Sequence, residues 1–291
     1  MTRGASSGSP GETAARAAGA RATEEAPALT REAISAKTHW LAQRIDWFAE
    51  IDSTNQHALA IAALGAEHGT AVIADTQTAG RGRLGRTFFS PPRSNLYVSF
   101  VLRPRASSAT LSTLPLAAGV ALAETVAMEL ANDDRVELKW PNDVLVDGKK
   151  VSGILLERSS SNVEAAVILG IGVNLNVDPG SFPDDFRARA SSLCALAGRQ
   201  IDRARFAAAL FERLEAVLDA HDAGGFAALR ARFDARFRMT GRRVRVADAA
   251  ERVREGIVLG VGADGSLRLG TYDGEERLLA GDVTVLKEPL S

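Results

Sequence analysis

Eight residues, Ala79 to Arg86, read AGRGRLGR and set glycines at 80, 82 and 85 among arginines at 81, 83 and 86. Glycine lets backbone N–H groups turn toward an anion, and a guanidinium pairs two phosphate oxygens at once. The spacing also satisfies G-x-G-x-x-G, which binds a dinucleotide only where a helix opens at the turn and an acidic residue stands about twenty positions on. Neither condition is met, because Pro91 and Pro92 follow the loop and no acidic residue lies between Asp75 and Glu124. The same pattern recurs at Gly260, Gly262 and Gly265, inside LGVGADG, where it reads as hairpin chemistry. A Walker A motif is absent, which excludes a P-loop nucleotidase. Two readings remain: a loop built for a triphosphate or adenylate, and a solvated basic turn.

A second chemical candidate comes from a turn. Asp147-Gly148 joins DVLV to KKVSGILLER, and a two-residue hairpin sets Val146 opposite Lys149 and Leu145 opposite Lys150. Alternation then puts Lys150 on the face of Asp143 and sends Lys149 to the other.

The chain that must position these groups has 291 residues, 46% of them hydrophobic, with 35 Lys and Arg against 36 Asp and Glu. It can bury one large domain or one plus an appendage. A net charge of −1 gives no global field for nucleic acid or another polyanion, so phosphate binding must be local. The single cysteine, Cys194, excludes an internal disulfide, suits a reducing cytoplasm and is expected to be a small buried apolar residue. His39, His57, His68 and His221 are scattered without metal-ligand spacing, against a zinc enzyme. No apolar run is expected to span a membrane, and the N-terminus has no secretory h-region.

Residues 1 to about 28, rich in Ala, Gly, Ser and Arg, read as a disordered tail. Thr30 to Ile45 reads as a short helix and IDWFAEI (45–51) as a strand. Ser53 with Gln56 forms a capping box for a helix that stops at Gly65. Strands follow at TAVIADTQ, NLYVSFVLRP, VELKW, DVLV, KKVSGILLER and VEAAVILGIGVNLN, with a long apolar helix from Leu111 and helices at 202–221 and 224–237. Several hairpins among helices predict an α+β fold, a mixed sheet flanked by helices. After residue 239, Gly- and Asp-punctuated strands, RRVRVAD, RVREGIVLGV, SLRLGT and EERLLAGDVTVL, predict a small β-barrel appendage of about fifty residues, a size at which a core is marginal without docking. The domains are thus 29–238 and 239–291.

Five ordered segments, IDSTN (51–55), QTAGRGRLGR (77–86), KWPND (139–143), KKVSGILLE (149–157) and GIGVNLN (170–176), resemble the biotin protein ligases, the biotin–[acetyl-CoA-carboxylase] ligases. The likeness runs from about residue 45 to 176, and the appendage is similar to that family's SH3-like C-terminal domain. The resemblance implies a class II synthetase-like catalytic fold. It implies that biotin and ATP, with Mg²⁺, give biotinyl-5′-adenylate, and that biotin then passes to a lysine of a biotin carboxyl carrier protein.

Carried over residue by residue, Ser53, Thr54, Asn55 and Gln77 match the family's biotin contacts, and Arg81, Gly82 and Arg83 its adenylate-enclosing R-G-R. Lys150 matches its ligand-binding lysine, and Arg83 with Lys150 would carry the catalysis. Gly80, Arg81, Arg83, Arg86, Phe88 and Asn142 would line the ATP side. Phe88 stands where the family usually has a tryptophan that stacks on adenine, Asp143 would hold Mg²⁺ or orient Lys150, and Trp140 reads as core packing. About 44 residues precede the first strand, mostly tail, too few for the winged helix-turn-helix of family members that bind DNA. Neither DNA nor membrane is expected, and the family implies a possible homodimer. The alternatives are a lipoate or octanoate protein ligase, which would lack GRGRLGR and the appendage, and a regulator that senses biotinyl-adenylate.

Overall fold

The structure is a computed structural model that describes Met1 and residues 28–104, 108–159 and 166–286. The expected tail thus lies almost wholly outside the described residues, as does the start of the VEAAV segment.

The elements run α1 (Arg31–Ile34), β1 (Ile45–Phe48), α2 (Thr54–Ala63), β2 (Ala71–Ala74), β3 (Leu96–Leu102), α3 (Ser108–Leu130), β4 (Val136–Lys139), β5 (Asp143–Val146), β6 (Lys149–Arg158) and β7 (Val167–Val173). Then come α4 (Asp184–Arg187), α5 (Leu193–Ala197), α6 (Arg203–Gly224), α7 (Arg230–Asp234) and strands β8 (Arg243–Ala247), β9 (Val253–Val261), β10 (Leu267–Thr271), β11 (Gly274–Leu278) and β12 (Asp282–Val285). The first seven strands form one sheet in the order β1-β2-β3-β7-β6-β5-β4. Only β1 and β2 pair in parallel among them, so the sheet is mixed as expected.

Both faces of the central strands are covered, which is why LYVSFVL in β3 is buried at every position. On one face Val98, Phe100, Leu169 and Ile171 meet α3 and α6 in the main core. On the other, Val72, Val101 and Ile168 pack under Ala58 and Ala62 of α2. That second face also carries Ser99, Gly170 and Gly172, by alternation along β3 and β7. The last five strands make an antiparallel sheet, β11-β10-β9-β8-β12. Its Val244, Val258, Leu267 and Leu269 join the same buried cluster as the main core.

Five expectations are corrected. The first helix ends at Ile34, where Ser35 takes a left-handed conformation (φ 49°), rather than reaching Ile45. Ser53 is the N-cap residue of α2 but makes no side-chain capping bond, and its own amide, which Gln56 would take in a capping box, donates instead to Asp52 Oδ1 at 2.6 Å. The segment from Glu275 to Leu286 is two strands, not one, split before Asp282. Leu111–Leu130 is long and apolar enough to cross a membrane by length and composition; here it is the helix packed on the main sheet and α6. Cys194 is only partly buried, at the edge of the core.

Candidate active site

The site grows from three rows of residues on the α2 face of the sheet. Strand register sets Tyr97, Gly172 and Gly153 side by side, then Ser99, Gly170 and Leu155, then Val101, Ile168 and Glu157. Glycines at alternate positions leave a floor that other groups can approach closely. Asn55 fills one part of it: a methyl group on Gly170 would come within 2.1 Å of Asn55 Oδ1. The Phe88 ring fills another, and a methyl on Gly172 would come within 2.5 Å of it.

Over this floor runs a chain of polar contacts. Glu157 Oε2 accepts from Asn55 Nδ2 at 2.8 Å. Ser99 Oγ donates to Asn55 Oδ1 at 2.5 Å and lies 2.8 Å from Thr54 Oγ1. Gln77 Oε1 accepts from both the Thr54 amide and the Thr54 hydroxyl, at 2.9 and 3.0 Å. Its Nε2 donates to Ser90 Oγ, which donates to the Phe88 carbonyl. These bonds fix which way each amide faces. Ser53 Oγ is buried beside them without a hydrogen-bond partner.

The loop 80–88 folds back on itself over this end. Gly82 N donates to Arg86 O at 2.7 Å and Phe88 N to Gly80 O at 2.8 Å. Leu84 and Gly85 turn the tip with positive φ, 56° and 73°. Its three arginines diverge: Arg81 meets Glu157 Oε1 at 3.5 Å, and Arg83 reaches Asn142 Oδ1 and Gly281 O, each at 3.3 Å. Arg86 pairs with Asp282 at 2.6 Å. The C-terminal sheet therefore holds two of the loop's three guanidinium groups.

Lys150 stands where the hairpin register places it, opposite Leu145. Its ammonium lies 2.7 Å from Asp143 Oδ1, the pair being 26% and 15% exposed, sheltered yet reachable. A bulge between Val144 and Leu145 lets Gly153 as well as Lys150 share that face. Lys149, as expected, points elsewhere, to Ala188 O. Asn142 is anchored by Nδ2 to Ile154 O at 2.7 Å. Trp140 is buried, its indole N–H donating to Gly265 O at 2.9 Å.

Two groups escaped the sequence reading. Lys139, opposite Asp143 in the β4–β5 pair, is half-buried: desolvation lowers its pKa, while Asp143 and Asp282 pull it back up. Burial likewise raises the Asp282 carboxyl, but the Arg86 hydrogen bond and charge outweigh it and the pKa falls. Among the described residues, Arg83, Arg86, Lys139 and Lys150 thus share Asp143 and Asp282, an excess of positive charge suited to a polyanion. Among the described residues no group of three His, Cys, Asp or Glu side chains clusters to hold a metal, and Asp143 is engaged by Lys150.

A model of the Biotin/lipoate A/B protein ligase family matches residues 47–174, the stretch from β1 to the end of β7 that holds the glycine floor and Lys150. The fold and this match define a protein ligase of the biotin and lipoate class. The bifunctional ligase/repressor BirA of Bacillus subtilis is 33% identical over 248 residues, 85% of this chain and 75% of that protein. The biotin–[acetyl-CoA-carboxylase] ligase of Mycobacterium tuberculosis is 35% identical over 263 residues, 89% and 94% of the two chains. The biotin protein ligase of Aquifex aeolicus, solved in complex with biotin and ATP, superposes with a TM-score of 0.73 at 30% identity, covering 84% of this chain and all of that one. The chain belongs to this family, and within it to the biotin protein ligases.

Proposed function

We propose that the enzyme joins biotin to ATP as biotinyl-5′-adenylate and then transfers biotin to one lysine of a biotin carboxyl carrier protein. The observation that carries this reading is the adjacency, on one sheet face, of a neutral polar pocket and a cation-rich corner. Ser53, Thr54, Asn55 and Gln77 offer short donors and acceptors matched to a ureido ring, which has one carbonyl and two N–H groups. Ser53 Oγ, buried without a partner, is the kind of group a ligand satisfies.

In the first step the biotin carboxylate oxygen bonds to the α-phosphorus of ATP and the bond to the pyrophosphate oxygen breaks. Two anions meet, and charge builds on the equatorial oxygens. Lys150, held by Asp143, and Arg83 are the fixed cations for that charge, with Lys139 behind them. Gly80, Arg81, Gly82 and Arg86 frame the loop side of the nucleotide, Asn142 its far side, and Phe88 presents a ring face. Magnesium, where required, would come with the nucleotide phosphates; the residue roles above do not depend on it. In the second step a carrier lysine, as free amine, attacks the acyl carbon, the acyl–oxygen bond breaks and AMP leaves. Until then the loop shields the anhydride from water.

Incubation with labelled biotin, MgATP and a carrier-domain fragment, with lipoate as competitor, tests the reading. Label is expected on the carrier and is expected to persist with lipoate in excess. An unlabelled carrier, or label that lipoate displaces, would overturn it, the latter in favour of a lipoate ligase.

A further inference from the structure

Glu157 is assigned no part in the chemistry above, yet its position is unusual for an acidic residue on a strand. It lies on the α2 face of β6, in the row with Val101 and Ile168, and its side chain is 21% exposed. Its two carboxylate oxygens go to two different elements: Oε2 accepts from Asn55 Nδ2 on α2, and Oε1 faces Arg81 on the loop.

The consequence for Asn55 follows from counting its capacity. Its carbonyl oxygen is taken by Ser99 Oγ and one amide hydrogen by Glu157, so the orientation of the amide is decided at both ends. The remaining N–H is thereby presented to the pocket, where only an acceptor can satisfy it. For Arg81 the consequence is electrostatic. A half-exposed guanidinium that meets no phosphate is held near the floor by a carboxylate and exchanges it for the ligand's anion when that arrives.

We propose that Glu157 is a positioning residue that sets the Asn55 amide for the biotin ureido carbonyl and tethers Arg81 over the pocket, acting through both and touching neither reacting atom. This rests on the ligase reading. It requires the carboxylate to do two separable things: accept a hydrogen bond, which a glutamine also does, and carry charge, which a glutamine does not.

The test compares Glu157→Ala and Glu157→Gln with the parent in three measurements: biotin affinity by calorimetry without nucleotide, KM for ATP, and release of free biotinyl-adenylate. Loss of a hydrogen bond to a charged group leaves Asn55 Nδ2 unset, and Glu157→Ala is expected to weaken biotin about tenfold or more. Glu157→Gln is expected to stay within about threefold of the parent. Both are expected to release adenylate faster, and any change in KM for ATP, arising through the untethered Arg81, is expected to be the same in both. Parental biotin affinity in Glu157→Ala, or equal loss in both variants, overturns the Asn55 role. Unchanged adenylate release overturns the Arg81 role. A rise in KM for ATP that tracks the loss of biotin affinity would mark general damage and overturn both. A parent that binds no biotin would instead sink the ligase reading itself, a result distinct from all of these.

Discussion

Lys150 is fixed at more points than a hairpin lysine needs. Its amide donates to Arg189 O at 2.8 Å and its carbonyl accepts from Ser191 N at 3.0 Å, while Asp143 holds the ammonium. A cation oriented before substrate arrives costs no reorganisation when charge develops. Lys150→Ala is therefore expected to slow adenylate formation by about 100-fold or more, read as the burst of pyrophosphate in a single turnover; a burst near that of the parent would refute the role. This placement was legible in the sequence because Asp147-Gly148 supplies the two positive φ values, 49° and 72°, that a two-residue hairpin turn needs, and the turn fixes the register. Glu157 and Lys139 were not legible. The partner of Glu157 is 102 residues away, and Lys139 gains its meaning from partial burial beside Asp143 and Asp282, neither of which a local spacing encodes. The capping box at Ser53 misled for a different reason: the adjacent Asp52, not Gln56, accepts the Ser53 amide, and the Ser53 hydroxyl caps nothing.

At the scale of elements, β7 explains why a strand should carry two glycines. Gly170 and Gly172 share one face, and each is overlain by a group from elsewhere, Asn55 from α2 and Phe88 from the loop. Alternating glycines signal close approach, but the sequence does not say what approaches. The strand itself was expected, as was a mixed sheet from the hairpins among helices; the trough on its surface was not, because it depends on register with Gly153 and Ser99. The prediction at this scale concerns Gly170→Ala. The added methyl would lie 2.1 Å from Asn55 Oδ1, so the amide must leave Ser99 and Glu157. Biotin affinity is expected to fall about tenfold or more, as for other lost buried polar contacts. The fold should persist, since Gly170 has no positive φ. Calorimetric titration with parental affinity would show that the floor does not need to be bare there.

At the scale of the whole molecule, the two sheets form one object. Asp264 O and Gly265 O of the C-terminal hairpin accept from Ser112 Oγ and Trp140 Nε1, at 2.7 and 2.9 Å, while Gly281 and Asp282 hold the loop arginines. The sequence predicted a docked appendage, because about fifty residues bury too little core to stand alone; where it docks depended on side chains far apart in the chain. Under that junction, His221 of α6 meets Thr113 of α3, with Nε2 2.8 Å from Oγ1, and is 2% exposed. A methyl on Gly265 would come within 3.0 Å of the same threonine, so this pair lies against the docking surface. Burial lowers the His221 pKa from its ordinary 6.5, with Asp222 opposing weakly from the same helix. The folded protein then refuses a proton that the unfolded chain accepts. Stability from this group is complete above pH 6.5 and declines as pH falls toward the lower folded value, because the unfolded state binds more protons in that interval. The melting temperature is thus expected to drop more steeply below pH 6.5 in the parent than in His221→Gln, whose amide cannot titrate there. Thermal scans of both proteins in steps from neutral to mildly acidic pH measure the difference, and parallel curves would mean that the histidine takes up its proton without loosening the junction.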